Sequence, residues 1–250
     1  MVRLLKVLKC SYCGAPIKYQ MGEMILTCPY CGYTSLVDQS KAFQFEHYMF
    51  VPTVNEDEAK GIIERWIEDS YLLPTKVFRK ARLLSMRHKM LPFWEIWLKT
   101  TCSFKGLNYR LGEEKTIEEN FSWSGFVLVY GRKAEDFPPV HIELEESKDV
   151  FDVTKLPKDI SIFNAELDEE EAVQRAKETV EKRLMERVRD AVDEVIDVRY
   201  GHEIVSPSVY VHIPFWVAEY EYKGGVYQII INEVDKEVLT AEYPEDIDFL

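Results

Sequence analysis

Apolar residues in this chain recur with two different periods. From Asp168 onward, Val173, Ala176, Val180, Leu184, Val188, Val192 and Val195 follow helical spacing over about seven turns. A shorter helix is predicted from Asn55, with Ile62, Ile63, Trp66 and Ile67 on one face and a stop before Pro74. Both open on a capping-box pattern: Asn55-Glu56-Asp57-Glu58-Ala59 and Asp168-Glu169-Glu170-Glu171-Ala172. Val54 and Leu167 precede the caps and can staple onto Ala59 and Ala172, and the acidic first turns suit the helix dipole. Each stripe reads as core-facing, with a partner-binding face as the alternative.

Strand-like segments follow each helix, marked by the same tripeptide: Pro92-Phe93-Trp94 and Pro214-Phe215-Trp216. Farther on come Phe104-Lys105-Gly106 and Tyr222-Lys223-Gly224, then Tyr109 and Tyr227 at the same offset. The second copy reads as a meander: Phe215 to Tyr222, a turn at Lys223-Gly224-Gly225, Val226 to Ile231, a turn over Asn232 to Lys236, and Glu237 to Glu242. Phe121 to Tyr130 and Val140 to Leu144 are further strand candidates, with Phe137-Pro138-Pro139 and Leu156-Pro157 as turns. The Pro-Phe-Trp elements read as strand starts packed under a helix. Stacking on bases or sugars is the competing reading.

The first forty residues are different. Cys10, Cys13, Cys28 and Cys31 have the spacing C-x2-C-x14-C-x2-C. Gly14 and Gly32 follow the second cysteine of each pair, where a tight knuckle benefits from positive φ. Four thiolates suit one structural Zn²⁺ and leave no open position for water. Iron is the competitor for such a site. Ile17 to Gln20 and Met24 to Thr27 are predicted to pair across Met21-Gly22-Glu23, and Lys9 and Lys18 to offset the thiolate charge. The expected fold class is α+β: a zinc ribbon over residues 1–40, then a duplicated strand–helix–antiparallel-strand body. Its repeats cover 41–135 and 136–250 and form one compact unit.

Charge changes this picture more than composition does. The net charge is -13 over 250 residues. Residues 71–110 carry nine Lys/Arg against Glu95 alone, whereas residues 111–250 carry fifteen against thirty-four acids. Lys76, Arg79, Lys80, Arg82, Arg87 and Lys89, together with His88, make a strip that can neutralise phosphates. Alternatively, these charges pair with the acidic second half. Abundant charge with only five Asn and five Gln leans toward a thermophile. No run approaches the roughly 18 apolar residues of a membrane helix, and paired cysteines fit metal binding in a reducing compartment, so a cytoplasmic location is expected.

Motifs for catalysis are missing from the sequence: there is no His-Glu-x-x-His, no phosphate-binding glycine loop and no Gly-x-Ser-x-Gly elbow. Cys102 reads as a small buried hydrophobe and His212 as a strand residue.

Ile213-Pro214-Phe215-Trp216, Tyr220-Glu221-Tyr222-Lys223-Gly224-Gly225, Tyr227, Ile231-Asn232 and Tyr243-Pro244 resemble the C-terminal block of a loose family of prokaryotic zinc-ribbon proteins often labelled primosomal-helicase-like. The family's usual Asn-Gly-x-Thr-Gly is replaced here by Asn232-Glu233-Val234-Asp235-Lys236, and the chain carries no helicase motif. The chain also resembles an archaeal ribosome dimerisation factor, which holds small ribosomal subunits together. That resemblance implies a non-enzymatic adaptor on a ribonucleoprotein, the small ribosomal subunit with its RNA and basic proteins, joined by a second copy of itself. A transcription or replication accessory protein is the second expectation, and an enzyme with a site between the repeats the third.

Overall fold

A computed structural model describes residues 5–37, 46–69, 81–110, 113–133, 137–140 and 147–242. Two hairpins come first. Strand β1 (Leu5–Lys9) pairs antiparallel with β2 (Pro16–Gln20), and β3 (Ile25–Thr27) with β4 (Thr34–Leu36). The sequence predicted β2 paired with β3 instead. Each cysteine knuckle closes on its own flanks, through Cys10 N–H to Ala15 O (2.8 Å) and Cys28 N–H to Tyr33 O (2.9 Å), so each becomes the tip of a separate hairpin. Between them Gly22, at φ 101°, turns the chain, and Glu23 leaves the ribbon for the body.

The remaining strands form one nine-stranded sheet: β5 (Glu46–Met49), β6 (Arg82–Arg110), β7 (Glu113–Tyr130), β8 (Asp149–Val150), β9 (Ser161–Ile162), β10 (Glu194–Ile204), β11 (Val209–Tyr222), β12 (Gly225–Asn232) and β13 (Glu237–Ala241). Among the described residues two α-helices accompany it, α1 (Glu56–Asp69) and α2 (Glu169–Ala191). The class is therefore α+β and mostly sheet, as expected.

Strand β6 runs for 29 residues. Along one edge it pairs antiparallel with β11 and then β10, and along the other with the short parallel β9 and then β7. Both Pro-Phe-Trp tripeptides fall inside strands, not at their starts. Pro92 lies where β6 exchanges β9 for β7, and Pro214 where β11 exchanges β5 for β12. Each proline carbonyl accepts the N–H of the chain leaving the neighbouring strand: Gly131 N–H to Pro92 O (2.8 Å) and Glu233 N–H to Pro214 O (3.3 Å). A residue's N–H and C=O point to the same edge of a strand, so the missing proline N–H falls at these changeovers and costs no ladder bond. Between the tripeptides Ile213 pairs with Leu91, and both are buried.

Matching bonds recur around this pair. Trp94 Nε1–H donates to Leu167 O (3.2 Å), ahead of α2, and Trp216 Nε1–H to Val54 O (3.0 Å), ahead of α1. Phe163 N–H donates to Met90 O and Phe50 N–H to His212 O, both at 3.0 Å. Each tripeptide strand thus supports the helix start lying in the other half of the chain.

Both helices begin where the capping pattern placed them. Asn55 Oδ1 accepts from Glu58 N–H (3.0 Å) and Glu58 Oε2 from Asn55 N–H (2.9 Å), while Asp168 Oδ1 accepts from Glu171 N–H (3.0 Å). Helix α2 buries Ala172, Ala176, Val180, Leu184 and Val188 against Trp94, Leu98, Cys102 and Phe104 of β6. It ends at Ala191, earlier than the apolar spacing implied. Val192 caps it in extended conformation, and Asp193 N–H turns to Leu107 O (2.9 Å), starting β10 with period two. Gly106 makes room for this turn, since a Cβ there would come 2.6 Å from Val192 Cγ2. The similar Lys223-Gly224 is instead a tight turn, with φ of 49° and 84°. The expected strand at Val140 to Leu144 lies outside the described residues beyond Val140, which is buried without strand pairing. No helix among the described residues is long and apolar enough to cross a membrane.

Candidate metal centre and nucleic-acid interface

The two knuckles bring the four cysteine sulfurs within 4.8 Å of one another. Cys10 Sγ lies 3.7 Å from Cys31 Sγ, and Cys13 Sγ 3.8 Å from Cys28 Sγ. Tetrahedral coordination with metal–sulfur bonds of about 2.3 Å requires sulfurs about 3.8 Å apart. The donor set therefore fits one metal ion. Gly14 and Gly32 adopt φ of 74° and 76°, and their N–H groups donate to Cys10 O and Cys28 O, both at 2.9 Å.

Burial pushes the Cys31 thiol up to about 12 and raises that of Cys28. At Cys10 burial also acts upward, but the Cys13 and Tyr12 N–H groups directed at its sulfur outweigh it and bring the thiol to about 7. A bound cation would hold all of these as thiolates, so metal binding is coupled to proton release. Cys102 stands apart, buried beneath α2, where desolvation raises its thiol.

The ribbon is anchored to the body by its own polar groups. Glu23 Oε2 accepts from Gln20 N–H (2.9 Å) and Asn164 Nδ2–H (3.0 Å), and Glu23 Oε1 pairs with Arg132 Nη1 at 3.4 Å. Asn164 Oδ1 accepts from Thr27 N–H (3.0 Å), Met24 N–H donates to Ala165 O (2.8 Å), and Ile25 joins the main core. A second link runs through histidines: Thr34 Oγ1 to His47 Nδ1 (2.8 Å), His47 Nε2 to His212 Nδ1 (2.8 Å), and His212 Nε2 to Phe163 O (2.8 Å). The Phe163 carbonyl only accepts, so His212 Nε2 carries its proton, His47 donates onward and Thr34 donates to His47. Burial lowers His212 to about 4; burial and then the neighbouring His212 lower His47 to about 2.

What the ribbon presents outward is aromatic and cationic. Tyr12, Tyr30 and Tyr33 are 76%, 65% and 44% exposed, and Tyr12 and Tyr33 stack with centroids 5.7 Å apart. Lys6, Lys9 and Lys18 are exposed, whereas Glu23, the one acidic residue within 5–37, is buried against the body. Tyr12 and Tyr30 stand in Cys-x-Tyr-Cys in the two knuckles and were open to reading from sequence; the stacking of Tyr33 on Tyr12 and the burial of Glu23 were not.

The basic strip read from sequence divides differently. Lys76, Arg79 and Lys80 lie outside the described residues. Arg82 and Arg87, in β6, pair with Glu221 (2.6 Å) and Glu219 (3.0 Å) of β11. Lys89 sits over the Phe163 ring at 5.4 Å, and His88 is buried against Glu233. The bulge at Leu84 puts Arg82 on the same face as Arg87 and Lys89, but Glu221 and Glu219 lie on that face too and pair with both arginines, so the described part of the strip is not an uncompensated cationic surface.

No family model, curated protein or solved structure matches this chain.

Proposed function

We propose that this protein is a non-enzymatic adaptor that holds one structural zinc ion and docks through its ribbon on a ribonucleoprotein, the small ribosomal subunit being the preferred reading. One observation carries it: a closed four-cysteine centre displaying three tyrosines and three lysines, with Glu23, the one acidic residue among the ribbon's described residues, turned inward. Zinc is our preferred occupant because four-thiolate knuckle pairs are its common structural site, although the same donor set accepts iron. Exposed aromatic rings stack on unpaired bases at about 1–3 kcal/mol each, and cations beside them neutralise phosphates. We read the body as two copies of one strand–helix–strand unit. The reciprocal tryptophan-to-carbonyl bonds and the paired proline changeovers support that reading. The junction between the copies is filled by Leu91, Phe93, Ile213 and Phe215, which favours a scaffold over a cleft. Two copies of the adaptor bridging two subunits would account for the resemblance to a dimerisation factor.

The test measures fluorescence anisotropy with a single-stranded RNA and sedimentation with ribosomal subunits on sucrose gradients. Wild type is expected to bind RNA with a log–log salt slope of about -2 to -3, as three neutralised phosphates require. Tyr12→Ala/Tyr33→Ala is expected to bind about tenfold or more weakly with zinc content unchanged. Absence of binding at low salt, or a double variant that binds like wild type, refutes the proposal.

A further inference from the structure

The acidic half of the chain carries a cationic groove that the ribbon reading does not use. It encloses about 580 Å³ between α2 and the end of β7. Five consecutive β7 residues, Phe126 to Tyr130, line it. A strand lining a groove with consecutive residues, not alternate ones, faces it with its edge, because side chains of both faces flank the backbone. Among the described residues, strand β7 pairs with β6 along one edge and with no strand along the other. Phe137 and Val140 form the apolar bank.

The opposite bank is the flank of α2, where Arg175, Lys182 and Arg183 project beside Thr179 and Glu186. None of the three cations makes an ion pair with a described acid. Arg132 also lines the groove and is 1% exposed; its Nη atoms hold Glu23, Glu166 and Asn164 O. Its Nε–H has no hydrogen-bond partner among the described residues. A buried guanidinium N–H left unpaired at the wall of a cationic groove calls for an acceptor.

We propose that this groove binds an extended acidic peptide of a partner protein, which adds to the β7 edge that no described strand covers and sets its carboxylates against α2. Three features favour a peptide over a nucleic-acid strand: a strand edge along the groove, the mainly apolar bank, and the α2 cations confined to one side. Spacing agrees as well. Trp94 meets Leu167 at the start of α2 and Gly106 meets Val192 at its end, so α2 runs along β6 and hence along β7. Arg175 and Arg183 lie about 12 Å apart along the helix axis. In an extended strand, residues i and i+4 lie about 13 Å apart on one face, so alternate acids reach both arginines while the intervening apolar residues meet Phe126 and Leu128.

The experiment titrates the full-length, zinc-loaded protein into a fluorescein-labelled octapeptide alternating glutamate and valine. Saturable binding is expected. It should be lost for a lysine–valine peptide and weakened roughly tenfold or more by Arg175→Gln/Arg183→Gln, whose fold is checked by circular dichroism. The same peptide N-methylated at alternate backbone positions should bind at least tenfold more weakly, a readout that leaves the protein untouched. The proposal is overturned by absence of saturation at millimolar protein, by equal binding of the lysine peptide, or by full binding of the N-methylated peptide. It is overturned equally if the double variant abolishes oligo-uridylate binding instead, which would make the occupant RNA. A self-association abolished by the same variant in analytical ultracentrifugation would make it a second copy, with the same consequence. RNA binding by the ribbon tyrosines is scored separately, so either proposal can fail alone.

Discussion

Glu233, at the end of β12, gives the sharpest test of how the two halves of the body hold each other. Its carboxylate is 1% exposed. One oxygen takes the Nε2 proton of buried His88, and the other accepts from Thr53 N–H and Val54 N–H, both at 3.1 Å. His88 in turn lies flat on Trp216, centroids 4.4 Å apart, and Trp216 donates to Val54 O. Glu233→Ala orphans three donors. Val54 N–H and His88 are buried and each costs about 1–3 kcal/mol when unpaired, whereas exposed Thr53 can turn to water. The emptied volume adds about 1 kcal/mol, for a total of about 3–7 kcal/mol against a typical stability of about 5–15 kcal/mol. Glu233→Gln keeps an acceptor for the backbone pair and disturbs only the histidine, so it should cost about 1–3 kcal/mol. Urea denaturation followed by tryptophan fluorescence in excess zinc measures both. In a cycle with His88→Ala, the coupling should exceed about 1 kcal/mol. A loss below about 1 kcal/mol for Glu233→Ala, or additive single variants, would refute the network.

Two further outcomes follow from the way the ribbon is anchored. Chelation with EDTA should unprotect amides of residues 5–37 in hydrogen exchange and also speed exchange in β6 and β11, because Ile25 belongs to the main core and Glu23 to a buried ion-pair cluster; unchanged body protection would contradict this. Acidification should weaken the fold through His47 and His212, whose native values of about 2 and about 4 lie below the ordinary 6.5. The unfolded chain then binds more protons. Stability is therefore full above about pH 6.5 and falls toward pH 4 at up to about 1.4 kcal/mol per pH unit for each histidine. His212→Asn should flatten that slope in zinc-saturated buffer, and an equally steep profile would show that other groups dominate.

Features fixed by local chemistry were legible in the sequence. The metal centre needed only the cysteine spacing and the glycines after each pair. The helix starts needed only their capping boxes, and the terminal meander only its turn residues. Features decided by partners far along the chain were not legible. Proline reads as a strand boundary, yet Pro92 and Pro214 sit mid-strand because each coincides with a change of neighbour that sequence alone does not show. The α2 stripe appeared to continue to Val195 because valines at period two and period four coincide there; Leu107 and Asn108 decide for a strand by taking the Asp193 N–H. The Lys76–Lys89 strip looked uncompensated because Glu219 and Glu221, which pair with Arg87 and Arg82, lie far along the chain in β11. The α2 flank was hidden too. With Ala176, Val180 and Leu184 turned inward, Arg175, Lys182 and Arg183 fall on one side of a helix whose overall composition masks them.

Arg132 decides which variants can separate the two proposed surfaces. Its guanidinium holds Glu23 of the ribbon and Glu166 of the body, and it lines the groove. Truncating it would leave two buried carboxylates without their cation, at a cost of several kcal/mol that would obscure any loss of binding. The α2 cations carry no such burden, since they hold no described acid and stand on the rim of the groove. Tyr12 and Tyr33 are exposed and, among the described residues, stack on each other. Surface variants on α2 and at the ribbon tip can therefore each silence one contact while the Glu23–Arg132–Asn164 anchor keeps ribbon and body together.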